Sequence, residues 1–246
     1  MSQMNLSPRK KKVADKVVIL SKELIILIFV FTISLLGFLF IAYRVFYLDK
    51  TGADEKAFAF AHSLVSDRTT DIMEVITFFG SHYFMIPANV LLCIFFLVKK
   101  IGRYSIKVSA IALSSVLIMF GLKLLFNRHR PLIPLLAPAK GLSFPSGHAF
   151  MSVCFYGLLM IIIWKEEKSH PVLKWFLLIL VIALLLCIGF SRIYLRVHYF
   201  TDVLAGYCIG STWLFLSSYL IDRIQPAGLK KINNSPSMGG GKGEAA

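Results

Sequence analysis

The stretch Ile25–Tyr47, IILIFVFTISLLGFLFIAYRVFY, decides the fold. It carries one charge, Arg44, near its far end. It exceeds the roughly 20 apolar residues that a helix needs to cross the hydrocarbon core. A basic head precedes it: Arg9, Lys10, Lys11, Lys12 and Lys16. The apolar stretch is longer than the about 7–15 residues of a cleaved signal, and no small-residue cleavage site follows, so it reads as a retained anchor. Five more runs follow: Phe84–Val98, Ser105–Phe126, His148–Trp164, Trp175–Phe190 and Phe200–Ile221. Only helices and closed barrels satisfy backbone polar groups in lipid, and these runs are too long and continuous for barrel strands. The expectation is an all-α polytopic membrane protein with six transmembrane helices. One domain spans 24–222, after a basic segment 1–23 and before a polar, disordered tail 223–246.

Composition agrees. Of 246 residues, 57% are hydrophobic and 16% charged, against about 45–50% and about 25% in an average soluble domain. That excess excludes a soluble single domain and a disordered chain. The net charge of +14 raises a nucleic-acid partner first, but the long apolar runs favour a bilayer instead. With the N-terminus inside, pieces 1–23, 99–107, 165–174 and 222–246 hold 17 of the 27 Lys and Arg residues. The positive-inside rule then puts both termini in the cytoplasm. Trp164 and Trp175 flank one cytoplasmic turn, as aromatic belt residues do. Cys93, Cys154, Cys187 and Cys208 all lie in expected spans and read as small apolar residues rather than disulfides or metal ligands. Between Asp49 and His82, two short amphipathic patterns (Ala57, Phe58, Phe60, Ala61, Val65, then Ile72, Val75, Ile76, Phe79) predict helices on the outer surface.

Three charged patches fall at the outer helix ends of this topology, and an ionisable residue within a span is a functional-site hypothesis. The first is Lys123-Leu-Leu-Phe-Asn-Arg-His-Arg130-Pro131. Pro131 pushes its predecessor out of the helical region, which predicts a helix end around Arg128 to Arg130. Either these cations converge, or they snorkel to lipid headgroups. The second is Ser143-Phe-Pro-Ser146-Gly147-His148, a helix N-terminus by its Pro, Ser and Gly. It reads as ordinary capping or as an anion site with free N–H groups. The third is Ser191-Arg192 through His198 to Asp202, where a carboxylate four residues from an imidazole can fix its tautomer. The alternative is a structural ion pair. Together, Lys123, Arg130, Arg192, a helix N-terminus and two histidines suit a phosphate. A two-metal phosphatase wants several converging carboxylates, and only Asp202 belongs to these patches. No metal or other cofactor is expected. Arg128 and Arg196 read as solvated or as headgroup or diphosphate contacts, and His129 could line the site.

These residues resemble the type 2 phosphatidic acid phosphatase (PAP2) family, whose phosphate site is shared with vanadium haloperoxidases. Its pattern, K-x6-RP, PSGH and SR-x5-H-x3-D, is matched by Lys123…Arg130-Pro131, Pro145-Ser146-Gly147-His148 and Ser191-Arg192…His198…Asp202. Thr77-Phe-Phe-Gly-Ser81 also looks like the family's region before its second span. The resemblance implies a PAP2-type helical bundle in a bacterial inner membrane, with its site toward the periplasm or exterior. It implies His198 as nucleophile, Asp202 as its partner and His148 as the acid–base. Lys123, Arg130, Arg192, Ser146 and Gly147 would clamp the phosphoryl oxygens. The expected activity is metal-independent hydrolysis of a mono- or diphosphate on a membrane lipid. Undecaprenyl diphosphate, phosphatidylglycerophosphate and phosphatidic acid are candidate substrates. The alternatives are a lipid-to-lipid phosphotransferase using the same site and a non-enzymatic lipid transporter. Nothing points to nucleic acid or to a protein partner.

Overall fold

In the computed structural model of the chain, residues 8–136, 139–166 and 170–224 are described, with side chains from Leu24 onward. The expected tail lies, from residue 225, outside them. Among the described residues there are eight helices and no strand. They are α1 (Pro8–Phe46), α2 (Gly52–Ser63), α3 (Asp67–Phe78), α4 (His82–Val98), α5 (Gly102–Phe126), α6 (Gly147–Glu166), α7 (Pro171–Tyr194) and α8 (Phe200–Ile224). Six stretches are long and apolar enough to cross a membrane: Leu24–Phe46, Asp67–Val98, Gly102–Phe126, Gly147–Glu166, Pro171–Tyr194 and Phe200–Ile224. The second joins α3 and α4 across a short turn. The expected count of six therefore holds, with different edges. The first helix runs back to Pro8, because its basic head has good helix formers and nothing to stop it.

Helix α8 is the hub, packed by α1, α2, α5, α6 and α7. The α6–α8 contact is close because α8 presents glycines there. A Cβ on Gly206 would lie 2.7 Å from the Ser146 carbonyl oxygen, and one on Gly210 3.0 Å from the Phe150 carbonyl oxygen. Small residues at such crossings let backbones approach within the membrane. A second contact sets the loop before α6. Phe144 is fully buried among Phe38 and Phe46 of α1 and Phe126 of α5, at centroid distances of 4.9–5.9 Å. That cluster holds Pro145 and Ser146 against the start of α8.

One expected boundary moves. Helix α5 stops at Phe126, short of the predicted end at Arg128 to Arg130, because Asn127 takes a left-handed conformation (φ 45°) and donates its N–H to the Lys123 carbonyl. Asn is one of the few side chains that tolerate this C-terminal cap. Lys123 and Arg130 thus sit on a helix and on a loop, rather than on one helical face.

The opposite end of the bundle is tied by charge. Lys107 of α5, almost fully buried, donates to both carboxylate oxygens of Asp222 on α8 at 2.9 and 3.0 Å, and Lys165 of α6 adds a third contact at 3.0 Å. Trp164 near the end of α6 and Trp175 near the start of α7 meet edge to face at 5.4 Å.

The glycine contact gives a test. A Gly206→Ala change should destabilise the protein by about 1–3 kcal/mol, because its new methyl meets backbone rather than a mobile side chain. Gly52→Ala, which meets open space, is the control. Thermal unfolding in detergent that left both at the wild-type midpoint would contradict this packing.

Candidate active site

The three motif segments converge at one end of the bundle, and the backbone knits them together. Ser143 N–H donates to the Arg128 carbonyl (2.8 Å), Ser146 N–H to the Asp202 carbonyl (2.9 Å) and Leu135 N–H to the Leu195 carbonyl (3.1 Å). After α7 the chain turns tightly. The N–H groups of Val197 and His198 both donate to the Arg192 carbonyl, at 3.1 and 3.2 Å. Arg196 lies within this turn with φ 52°.

His198 is 1% exposed and Asp202 fully buried. Arg130 Nη1 donates to His198 Nε2 at 3.2 Å. A guanidinium has no acceptor, so Nε2 carries the lone pair and the ring proton sits on Nδ1. Nδ1 faces Asp202 Oδ2 at 3.4 Å. That contact is too poorly aligned to count as a hydrogen bond and leaves Nδ1 without a partner. Contacts of this kind often tighten only when substrate binds. Burial pushes the pKa of His198 well below the ordinary histidine value, and the charges of Arg130, Arg192 and Lys123 push it the same way. The ring is therefore neutral, with its lone pair aimed at the cationic cluster.

Asp202 sits in the first turn of α8. Its Oδ2 accepts the N–H of Tyr199 at 3.0 Å, one half of a capping box. Its Oδ1 accepts Arg128 Nη1 at 2.6 Å.

The cations expected to hold phosphate are fixed by neutral groups. Lys123 Nζ donates to the Leu142 carbonyl at 2.5 Å. Arg130 donates to the carbonyls of Gly141 (3.1 Å) and Val197 (2.7 Å). Arg192 Nη1 donates to Thr77 Oγ1 at 2.6 Å. Among the described residues, none of the three has a carboxylate within 4 Å. Ser146 is the N-cap of α6, since its carbonyl takes the Phe150 N–H at 3.0 Å. Its hydroxyl does not cap; it is buried with no partner, and so is Arg192 Nε. A buried donor left without an acceptor costs about 1–3 kcal/mol. His148 follows in the first turn of α6, against the α3–α4 turn. A Cβ on Gly80 would come within 3.1 Å of the His148 ring. All eight residues read from the three motifs thus lie on the converging segments.

Sequence reasoning missed Asp54, Thr201, the bond from Arg192 to Thr77 and the true state of Arg128. Arg128 is not a solvated headgroup contact; it bridges Asp202 and the buried Asp54, with Nη2 donating to Asp54 Oδ2 at 3.0 Å. A signal for Asp54 was present. It shares a helical face with Ala57, Phe58 and Ala61, at the i, i+3, i+4, i+7 spacing of a buried stripe. An acid on such a stripe implies a buried partner. Among the described residues no group of three or more His, Cys, Asp or Glu side chains converges as metal ligands would.

Comparison with known proteins gives the class. The PAP2 superfamily profile matches residues 104–226. Phosphatidylglycerophosphatase B of Bacillus subtilis is 28% identical over 163 residues, covering 63% of this chain and 76% of its own. Undecaprenyl-diphosphatase of Sulfolobus acidocaldarius is 32% identical over 165 residues, covering 65% and 73%. The crystal structure of a transmembrane PAP2-type phosphatidylglycerolphosphate phosphatase from Bacillus subtilis superposes with a TM-score of 0.72 at 26% identity. It covers 79% of this chain and 97% of that one. Aquifex aeolicus LpxE, at 24% identity and a TM-score of 0.54 over 67% and 93% of the two chains, shares the fold. The chain belongs to the PAP2 superfamily, and it is an enzyme of the lipid phosphatase class.

The depressed His198 pKa makes a stability prediction. The unfolded chain takes up a proton near pH 6.5, whereas folded His198 does not until lower pH. Its contribution to stability is therefore present above about pH 6.5 and is lost as the pH falls through the folded value. Between pH 7.5 and 5, the wild-type thermal midpoint should fall more than that of His198→Asn. Parallel pH profiles would contradict a proton-poor His198.

Proposed function

We propose that the chain hydrolyses a phosphate ester or diphosphate on a membrane lipid through a phosphohistidine on His198, without a metal. The observation that carries this reading is the pairing of a neutral, buried nucleophile with uncompensated cations. The Nε2 lone pair of His198 points to Arg130, and on the converging segments Ser146 Oγ and Arg192 Nε are buried without a partner. An incoming phosphoryl group supplies the acceptors that these donors lack. Arg130 then transfers its hydrogen bond from Nε2 to a phosphoryl oxygen and frees the lone pair.

In the first half-reaction Nε2 attacks phosphorus, the P–O bond to the lipid breaks, and His148 protonates the leaving oxygen. Asp202 balances the charge that the His198 ring acquires. In the second half His148 takes a proton from water, the oxygen attacks phosphorus, and the P–N bond breaks. Lys123, Arg130, Arg192, Ser146 and the Gly147 N–H hold the phosphoryl oxygens throughout. Donors fixed before the reaction stabilise the charged transition state without reorganising.

The orientation proposed has both termini in the cytoplasm and the active site toward the outer face of the bacterial inner membrane. The basic-residue count and the single-ended location of the motif segments support it. The substrate class follows the relatives: an undecaprenyl diphosphate, a phosphatidylglycerophosphate or a phosphatidic acid.

Purified protein in detergent should release phosphate from one or more of these lipids, at the same rate in EDTA. His198→Ala should abolish turnover together with any acid-labile phosphoenzyme. Asp202→Asn should lose about 10³–10⁴-fold, by analogy with other carboxylate–imidazole pairs. Turnover surviving in His198→Ala would move the nucleophile elsewhere. A requirement for a second lipid as acceptor would make the enzyme a phosphotransferase. A cysteine at Lys140 that reacted only from the cytoplasm would reverse the orientation.

A further inference from the structure

We propose that Asp54 of α2 is a positioning residue for the His198–Asp202 pair, acting through Arg128. The inference rests on the phosphohistidine reading above. Asp54 lies far from the motifs in sequence, is 1% exposed, and has both carboxylate oxygens taken by Arg128 and Thr201.

The geometry around Arg128 carries the argument. Its guanidinium serves two carboxylates and a hydroxyl: Nη1 donates to Asp202 Oδ1 at 2.6 Å and to Thr201 Oγ1 at 2.8 Å, and Nη2 donates to Asp54 Oδ2 at 3.0 Å. Its guanidinium carbon lies over the Tyr199 ring, 3.9 Å from the centroid. A guanidinium beside a single carboxylate prefers a two-pronged bond that takes both oxygens. Asp54 prevents that by claiming the second nitrogen. Arg128 is left with one oxygen of Asp202, and Oδ2 stays free for the Tyr199 N–H and for His198 Nδ1.

Asp54 also fixes the start of α8. Its Oδ1 accepts the Thr201 N–H at 2.8 Å, and its Oδ2 accepts the Thr201 hydroxyl at 2.9 Å. A carboxylate from another helix thereby caps the first turn that carries Asp202, where an anion is favoured. Removing the Asp54 charge releases Arg128 to fork onto Asp202. Oδ2 is drawn from His198, and the imidazolium formed during phosphoryl transfer loses its counter-charge. Substrate contacts are untouched, so the loss falls on kcat rather than KM.

The experiment is a double-mutant cycle, read as phosphate release from dioctanoyl phosphatidic acid in detergent micelles. Asp54→Asn keeps an oxygen to accept the Thr201 N–H but loses the charge that holds Arg128. It should lower kcat about 10–100-fold with KM within about threefold. Asp54→Glu should recover part of the rate. If Asp54 acts through Asp202, Asp54→Asn/Asp202→Asn should be no slower than Asp202→Asn alone. Arg128→Lys, a cation without the planar fork, severs the same link from the other side and serves if Asp54→Asn does not fold. Losses that multiply, or a wild-type kcat in Asp54→Asn while Asp202→Asn is slow, would overturn the positioning role. A wild-type rate in Asp202→Asn would overturn it too, whereas turnover surviving in His198→Ala would overturn the phosphohistidine reading on which it rests.

Discussion

A carboxylate with no exposed surface needs positive partners, and the arrangement of this site follows from supplying them to Asp202. Burying an ion costs several kcal/mol unless charge and hydrogen bonds replace the lost water. Asp202 finds three partners: the N-terminal dipole of α8, the Tyr199 N–H and the Arg128 guanidinium. Each makes a demand of its own. The dipole requires α8 to start at Phe200. Arg128 requires α5 to stop early, which Asn127 accomplishes. The closeness of α6 requires a residue without a side chain at Gly206, where the Ser146 carbonyl passes. The Ser146 N–H in turn rests on the Asp202 carbonyl at 2.9 Å. Two helix N-termini are thereby brought together, a concentration of partial positive charge suited to an anion.

The two ends of the bundle treat charge in opposite ways. At one, Lys107 and Lys165 share Asp222, and Arg103 meets Glu166 at 2.8 Å. Cations there are matched by carboxylates, and the result is cohesion between helices. At the other, Lys123, Arg130 and Arg192 are held by carbonyl and hydroxyl oxygens, which orient a cation but do not cancel it. Arg128 is the exception, since both nearby carboxylates are spent on it. That separation leaves Asp202 Oδ2 beside the imidazole while Lys123, Arg130 and Arg192 keep their charge.

Legibility in the sequence followed distance along the chain. The six apolar runs were plain because each is continuous, and the three motifs because each falls within a dozen residues. The His198–Asp202 relation was visible from a four-residue spacing, although only Asp202 lies in the helix. The Asp54–Arg128 bridge crosses 74 positions, and no periodicity connects its ends. The reading of Arg128 as solvated failed for a local reason as well. A helix carried on to Arg128 or beyond leaves it at a lipid-facing end, whereas the left-handed turn at Asn127 sends the chain back over α8. Thr77 was noticed only as part of a resemblance. Its hydroxyl matters because α3 packs along α7 and delivers it to Arg192.

These contacts also change the reading of 49–82. Two amphipathic helices on an outer surface suggest a peripheral cover. Yet α2 delivers Asp54 to the start of α8, and α3 ends in the turn that sets Thr77 on Arg192 and Gly80 behind His148. Each of the segment's two helices is thus bonded to the converging segments, α2 at Arg128 and Thr201 and α3 at Arg192. A cover that opened freely would, at one end, separate Asp54 from Arg128 and from the start of α8. It would also leave Arg192 without its hydroxyl at the other. A fixed wall therefore fits these contacts better than a hinged lid, and the segment belongs to the scaffold of the proposed site.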